Sequence, residues 1–365
     1  HFVCQVEFGL AGNSLPASLA RALRSGRAVE SAPPPEPLLG VRRKECEAAV
    51  AVVLGAGPAG LFAAWMLAQN GVRVQVLDRG EPVAERARTV VRFHRAGQLD
   101  RDSNLLFGEG GAGTYSDGKL YTRVDDAFEP VVLAELVHCG APEAILFDSR
   151  AHIGTDRLHR ILPRLRARLE ARGVVFHWST RFERLVLEPG PPRRVRALDT
   201  SRGELACDVL FLAPGHSARD TWQALHAQGL LFEAKPFQFG LRIEHPQELV
   251  TRARYGTGKE VEPLGAAAYN LVSRGAPGAA GAHSFCMCPG GKIVASVNEA
   301  GYLCTNGMSN SRHSSPWANA AIVTTLCPAD FAAHGSGPFA GVALQRHYEA
   351  AFFAAGGSNY CAPAQ

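Results

Sequence analysis

Gly55, Gly57 and Gly60 stand in the order G-x-G-x-x-G, and Asp78 follows about 20 residues on. Those residue types at that spacing suit the holding of a diphosphate and a ribose. Gly55 allows a tight turn, Gly57 has no Cβ to keep a diphosphate from the backbone, and Gly60 lets a helix pack closely on a sheet. A helix starting at Pro58 and Ala59 would offer unpaired N–H groups and a partial positive charge to phosphates. Asp78 can accept from both hydroxyls of an adenosine ribose, and its charge would repel a 2′-phosphate, which argues against NADP at this position.

These residues need a scaffold, and the flanking sequence predicts one. Val50 to Leu54 is a charge-free apolar run of the kind buried on both faces of a parallel sheet. A helical pattern follows the glycines and stops at Asn70–Gly71. Val72, Val74 and Val76 then alternate as a second strand. The uncharged stretch from Ala48 to Gln69 is long enough to raise a membrane span. Three glycines and Pro58 in its middle answer that reading, since strand, turn and helix explain every one. No integral membrane segment is predicted.

Further along, Val83 to Phe93 reads as a helix with charges on one face. Five glycines then fall between Gly108 and Gly118, too many for a helix or strand interior. Such a segment either stays mobile or wraps something its backbone must touch, and a flavin with its diphosphate suits the second case. Helices are predicted over Phe128–Cys139 and within His152–Arg172, where Thr155 or Asp156 can cap and Leu158, Ile161, Leu162, Leu165 and Leu169 recur at helical spacing. Strands follow at Val174–Phe176, Phe182–Leu187, Val195–Leu198 and Leu205–Leu212. The last is nearly all apolar, is predicted to return to the buried parallel sheet, and ends at Ala213–Pro214–Gly215.

Helix, strand, small meander and buried strand make the second half of a two-part flavin-binding domain, whereas a nicotinamide-binding domain would continue with βα units. FAD is therefore preferred over NAD. The predicted fold is α/β: a FAD/NAD(P)-binding Rossmann-like parallel sheet with a β-meander, plus a second, mixed α+β substrate domain. The boundaries read from composition are an N-terminal appendage and Pro-rich linker over 1–40, with a strand at Phe2–Phe8, a short helix at Ser18–Leu23 and the linker at Ser31–Pro37. The FAD-binding domain covers 48–230 and the substrate or cap domain 231–340. A C-terminal helix and a truncated return to the FAD domain take 341–365.

The 365 residues are 46% hydrophobic and 20% charged, which suits domains with sizeable cores and argues against wholesale disorder. A net charge of +4 with scattered basic residues does not suggest nucleic-acid binding. Nine cysteines, an odd number, and the lack of C-x-x-C fit a reducing compartment. The chain opens on His1 rather than Met, so it is read as a fragment, and any targeting sequence would lie upstream.

The sequence resembles the uncharacterised FAD-dependent dehydrogenase family of bacteria and plant plastids, flavoproteins related to glutathione reductase in their FAD half. GAGPAGLFAA (55–64), SNLLFGEGGAGTYSDGKL (103–120), HIGTD (152–156), APGHSARDT (213–221), KPFQFGLRIEHPQEL (235–249), FCMCPGG (285–291), TNGMSN (305–310) and NYCAPAQ (359–365) carry the resemblance. It implies FAD binding and an oxidoreductase role without a defined substrate. It also implies that Gly108, Glu109, Gly110, Gly111, Ala112, Gly113 and Thr114 lie along the FAD, and that Arg79 touches its adenine side. Gly215 closes the position that many relatives fill with Ala-Thr-Gly. Relatives finish with a Gly-rich strand and helix near the flavin ring, and this chain ends before one, so the flavin half of the site is expected to be incomplete.

Plainer readings stand beside these. Alternation along a strand sets Cys286 and Cys288 on opposite faces, so no local disulfide is expected between them. Free cysteine is among the most buried residue types, so a structural role outweighs a redox or covalent-flavin one. Asp117 and Lys119 could form an acid–base pair near the flavin ring, but a turn residue and a solvated lysine are the preferred reading. His216, Ser217 and Asp220 hold the letters of a triad but no reason for its geometry, and Ser217 reads as a helix cap. His245 and His313 read as packing or surface histidines, and no metal-ligand spacing is present. The expected function is an FAD-dependent oxidoreductase passing hydride or electrons through the flavin to or from a small-molecule substrate. NAD(P)H or another electron donor is a candidate partner. The alternatives are a flavin monooxygenase or reductase on a lipid-like substrate, and a non-catalytic flavin-binding scaffold or inactive fragment. No catalytic residue can be named from sequence.

Overall fold

A computed structural model describes residues 17–25, 49–120, 126–148, 150–258, 264–276 and 280–363. The predicted strand at Phe2–Phe8 and the linker at Ser31–Pro37 lie outside the described residues, while α1 spans Ala17–Arg24.

The apolar run forms β1 (Val50–Leu54), with Val52 and Val53 fully buried. The turn at Gly55–Gly57 leads to α2 (Pro58–Gln69), and Asn70–Gly71 reverses the chain into β2 (Arg73–Leu77). Helices α3 (Val83–Ala96), α4 (Glu129–His138) and α5 (Thr155–Glu170) precede β3 (Val175–His177). An antiparallel meander follows: β4 (Phe182–Leu187), β5 (Val195–Thr200) and β6 (Gly203–Ala206). β7 (Val209–Leu212) then joins a parallel sheet in the order β3-β2-β1-β7. The β1–β2 register runs from Val50 opposite Arg73 to Leu54 opposite Leu77, which brings the glycine turn and Asp78 to the same carboxyl edge of the sheet.

Each sheet face has its own core. One is filled by Leu61, Ala64 and Trp65 of α2 against Ile161, Leu165 and Leu169 of α5. Those α5 positions recur at helical spacing, so one stripe of that helix is apolar. Shortening Leu165 to Ala would cost roughly 2–5 kcal/mol by lost burial and the cavity left behind. The other face packs Val52, Leu54 and Leu77 on Phe182, Leu185 and Leu198 of the meander.

Three expectations are corrected. The apolar run at Leu205–Leu212 is two strands, and β7 is not buried: Val209 is 47% and Leu212 43% exposed. It lies at the edge of the described sheet, with a neighbour on one side only. Neither Thr155 nor Asp156 caps α5, whose N-cap is Gly154 in a left-handed conformation. The Thr155 hydroxyl donates to the Thr114 carbonyl instead, and Asp156 accepts from Ser311. Nor does the Ser217 side chain cap α6 (Arg219–Ala227), whose N-cap is Ala218.

The remainder is mostly antiparallel. β8 (Phe237–Pro246) is followed by α7 (Gln247–Tyr255), β9 (Val272–Ser273), β10 (Ala282–Cys288), β11 (Gly291–Ala295), β12 (Thr305–Ser309) and β13 (Trp317–Leu326). A sheet in the order β8-β13-β10-β9 stands beside the β11–β12 hairpin. The short α8 (Pro328–Phe331) precedes α9 (Ala340–Ala355). Val90 and Phe93 of α3 share a core with Val294, Val297 and Leu303, closed by Phe352 and Phe353 of α9. Arg219 of α6 adds a polar tie, donating to Glu349 and Gln345 of α9 and to Glu299.

Candidate functional site

The site begins where the sequence reasoning begins. Gly55 has φ +108°, and a Cβ there would lie 2.2 Å from the Ala213 carbonyl oxygen. A Cβ on Gly60 would lie 1.9 Å from the Gly55 carbonyl oxygen, so helix and turn touch backbone to backbone. No side chain caps α2 at Gly57, and Pro58 and Ala59 are exposed at its first turn. This helix start is therefore uncapped and open, with its dipole unopposed by any acidic side chain in the first turn. Gly215, at φ +79°, also faces open space.

Asp78 is buried just past β2. One carboxylate oxygen accepts from Ala56 N at 2.8 Å, and the other from Gly80 N at 2.8 Å and Gly108 N at 3.0 Å. A carboxylate has about four acceptor positions, so three N–H groups leave capacity for a hydroxyl. The same side chain thus binds the fingerprint turn to the glycine-rich loop.

That loop is firmly packed. Gly110 N donates to Ala56 O at 2.8 Å, and Gly111 lies against Gly57. Gly111, Ala112, Gly113 and Thr114 form a 3-10 turn through Tyr115. At its centre is Arg86 of α3, fully buried, which sequence reasoning missed. Its guanidinium donates to Asn104 O (2.8 Å), Glu109 O (2.6 Å), Gly111 O (2.9 Å) and Thr114 Oγ1 (3.2 Å), and lies 4.9 Å from the Tyr115 ring centroid. Burial pulls its pKa down to about 10, against the pull of Tyr115, Asp78 and Glu109, so it stays charged at neutral pH. The Glu109 side chain turns inward, accepting from Val83 N (2.7 Å) and Arg166 Nε (2.9 Å). Arg79 reaches away from the turn; its guanidinium lies over Phe107 and pairs with Asp220 at 2.7 Å. It lines a charged cleft of about 220 Å³ with Arg101, Asp102 and Arg181.

At the far end of the loop the readings of Asp117 and Lys119 are overturned. Lys119 is not solvated: its ammonium is 2.7 Å from the buried Asp117 carboxylate, because Lys119 bridges in antiparallel fashion to His152 and is drawn inward. Ser309 also donates to Asp117, and His152 stacks on His313 with centroids 4.3 Å apart. Burial alone would raise the Asp117 pKa, but Lys119 and Ser309 hold it below the usual carboxylate range. Burial likewise works against the Lys119 charge, yet Cys288, Cys286 and Asp117 keep its pKa above the ordinary value.

The placement of the cysteines is corrected as well. The β10–β13 register shifts between Phe285 and Cys288, and Cys286 takes φ +45°. A bulge of this kind breaks the alternation of the strand. Both sulfurs consequently approach Lys119 Nζ, at 3.9 Å for Cys286 and 3.7 Å for Cys288. Near them Arg242 of β8 donates to Cys286 O, Asn319 and Asn306. The triad letters do not assemble: Asp220 binds Arg79, and the Ser217 carbonyl accepts from Asn298. His245 bonds the Tyr269 hydroxyl at 2.9 Å.

A cavity of about 1120 Å³ opens beside this cluster. Phe237, Phe239, Leu241, Phe285, Trp222 and Tyr348 supply apolar walls, and Arg242, Arg219 and Glu349 supply charge.

Residues 236–365 match the family described as FAD-dependent protein, C-terminal domain-like, and residues 53–112 the one described as NAD(P)-binding Rossmann-like domain. The chain is 42% identical over 314 residues to an uncharacterized protein of Clostridium beijerinckii. The aligned region takes in 86% of this chain and 58% of that protein, so the chain spans less than two thirds of that relative's length. Among solved structures, the open form of a point mutant of NikD, an unusual amino acid oxidase essential for nikkomycin biosynthesis, is 13% identical over 77% of this chain and 71% of its own, at a TM-score of 0.38. THI4 of Thermovibrio ammonificans is 15% identical over 53% of this chain and 68% of its own, at a TM-score of 0.33. Taken with the open glycine turn, the family matches make FAD the cofactor of this chain.

Proposed function

We propose that the protein is an FAD-dependent oxidoreductase acting on a small-molecule substrate, and that its FAD half groups with the glutathione-reductase-like flavoproteins. The observation that carries this reading is the uncapped start of α2, with Pro58 and Ala59 exposed at its first turn and Asp78 tied both to that turn and to the glycine loop. In this reading Gly55, Gly57, Pro58, Ala59 and Gly60 seat the diphosphate on backbone N–H groups. Asp78 takes the adenosine ribose, Arg79 borders the adenine side, and Gly215, in the turn after β7, faces the cofactor. Gly108, Gly110, Gly111, Ala112, Gly113 and Thr114 run along the cofactor. Glu109 acts through the loop it fixes, since its carboxylate is taken by Val83 and Arg166.

FAD supplies the hydride or electron transfer; the chain binds, orients and excludes water. With a 48–230 FAD-binding domain and a 231–340 substrate domain, the 1120 Å³ cavity takes walls from both, Trp222 and Arg219 from the first and Phe237, Phe239 and Phe285 from the second. Those phenylalanines favour an apolar body and Arg242 an anionic or carbonyl end. A nicotinamide donor fits the role of reductant. The apolar lining also favours a second reading, a flavin monooxygenase or reductase on a lipid-like substrate. The purified protein of natural length, scanned in the visible range, should carry flavin bands or acquire them with added FAD; a protein that stays colourless refutes the proposal. Oxygen consumption coupled to product hydroxylation would separate the second reading from the first. Seven described cysteines are free, which supports a reducing compartment such as the cytoplasm or plastid stroma. None of the described helices is long and apolar enough to cross a membrane.

A further inference from the structure

The sequence set Cys286 and Cys288 on opposite faces of a strand, and the fold brings their sulfurs to one ammonium group. Three independent features meet there. Cys286 is a non-glycine residue at φ +45°, a conformation that costs free energy and persists only where its surroundings enforce it. Both sulfurs lie within 3.9 Å of Lys119 Nζ, and Lys119 is in turn held by buried Asp117. Gly307 leaves room for the pair, since a Cβ there would meet Cys288 Sγ at 2.7 Å. The two thiols also differ in access, Cys286 being half-buried and Cys288 buried.

The geometry points to a dithiol–disulfide centre at Cys286 and Cys288, with Cys286 as the attacking sulfur, Cys288 as the resolving one, and a low-molecular-weight disulfide as the oxidant. The Cys288 thiol, which donates to the Cys286 carbonyl at 3.4 Å, and the nearby Lys119 and Arg242 cations bring the Cys286 thiol down to about 5, against its burial. The hydrogen bond to Cys286 and burial push the Cys288 thiol up. One sulfur is therefore a thiolate at neutral pH while the other keeps its proton. Around Lys119 stand Asp117, His152 and His313; Asp117 is the negative group among them and is paired with the Lys119 ammonium at 2.7 Å.

The exchange balances without the flavin. The Cys286 thiolate attacks one sulfur of RSSR, forming a mixed disulfide and releasing RS⁻. The Cys288 sulfur then displaces the second RS⁻, which takes the Cys288 proton. The protein pair loses two electrons as the Cys286–Cys288 bond forms, and RSSR is reduced to RS⁻ and RSH.

Reduced, desalted protein is treated with glutathione disulfide at about pH 6 and followed by intact mass and peptide mapping. The wild type should end two hydrogen masses lighter, with the bond in the 285–291 peptide. Cys288→Ser should stop as a glutathione adduct on Cys286. Iodoacetamide should alkylate Cys286 at least about tenfold faster than N-acetylcysteine at that pH. Lys119→Met should remove that advantage and Lys119→Arg should restore most of it. A wild type that accumulates the same adduct as Cys288→Ser, or a Cys286 whose alkylation follows a free thiol near pH ~8.5, overturns the assignment. These readouts do not involve FAD, so their failure and that of the oxidoreductase reading are separately visible.

Discussion

Replacing Arg86 by Met removes the clamp on the glycine loop while keeping most of the side-chain volume. Arg86 is fully buried and makes four hydrogen bonds, three of them to the carbonyls of Asn104, Glu109 and Gly111. A hydrogen bond to a charged group is worth about 1.5–3 kcal/mol, and a buried acceptor left without its donor costs about 1–3 kcal/mol. Thr114 still donates to Glu109 O, so that carbonyl stays paired. The desolvation penalty of the guanidinium is relieved at the same time, which offsets part of the loss. The net expectation is a destabilisation of roughly 3–5 kcal/mol. At about 2–4 °C per kcal/mol for an unfolding unit of 150–250 residues, the melting temperature falls by roughly 6–20 °C. Thermal and urea unfolding followed by circular dichroism measure this. FAD titration of the folded variant should also show weaker binding, because Gly108–Thr114 lose their fixed conformation. Arg86→Lys keeps the charge but cannot span the acceptors, so it should recover less than half of the lost stability. An Arg86→Met protein within about 1 kcal/mol of wild type refutes the clamp.

Gly55→Ala sets a Cβ 2.2 Å from a backbone oxygen at φ +108°, so the turn must open, and the protein should lose FAD retention on gel filtration and melt lower than wild type. Asp78→Asn turns an amide N–H toward a backbone N–H, because both carboxylate oxygens accept from the backbone; it should cost about 1–3 kcal/mol in urea unfolding and weaken FAD further. His313 has a folded-state pKa below its ordinary value of 6.5, from burial and the neighbouring His152. Its neutral form is the stable one, so its contribution is full above 6.5 and is lost as pH falls through the lowered value. Unfolding free energy measured from about pH 7 to 5 should therefore decline, less steeply in His313→Asn; identical slopes would remove His313 from that role.

The glycine turn, β1, α2, β2 and the apolar stripe of α5 were legible because hydrophobic period and backbone restriction are local properties of the chain. The Arg86 clamp was not. Its neighbours in α3 give it the pattern of a solvated arginine, and only the loop at 104–114, folding over it, makes it a buried one. Lys119 was misread for the same reason, since the groups that hold it sit at 117, 152, 286 and 288. The edge position of β7 could not be read from its apolar letters, because strand neighbours are set by topology. The bulge at Cys286 left no signal in residue types. A register shift against β13 placed both thiols on one side.

The most direct measurement is a titration of the wild-type protein with FAD, repeated with FMN and with ADP as competitor. FAD should bind, ADP should displace it, and FMN should not bind, because the diphosphate turn and Asp78 hold the adenosine half. Binding of FMN as tight as FAD, or FAD binding that ADP leaves untouched, would contradict the site assigned to Gly55–Gly60 and Asp78.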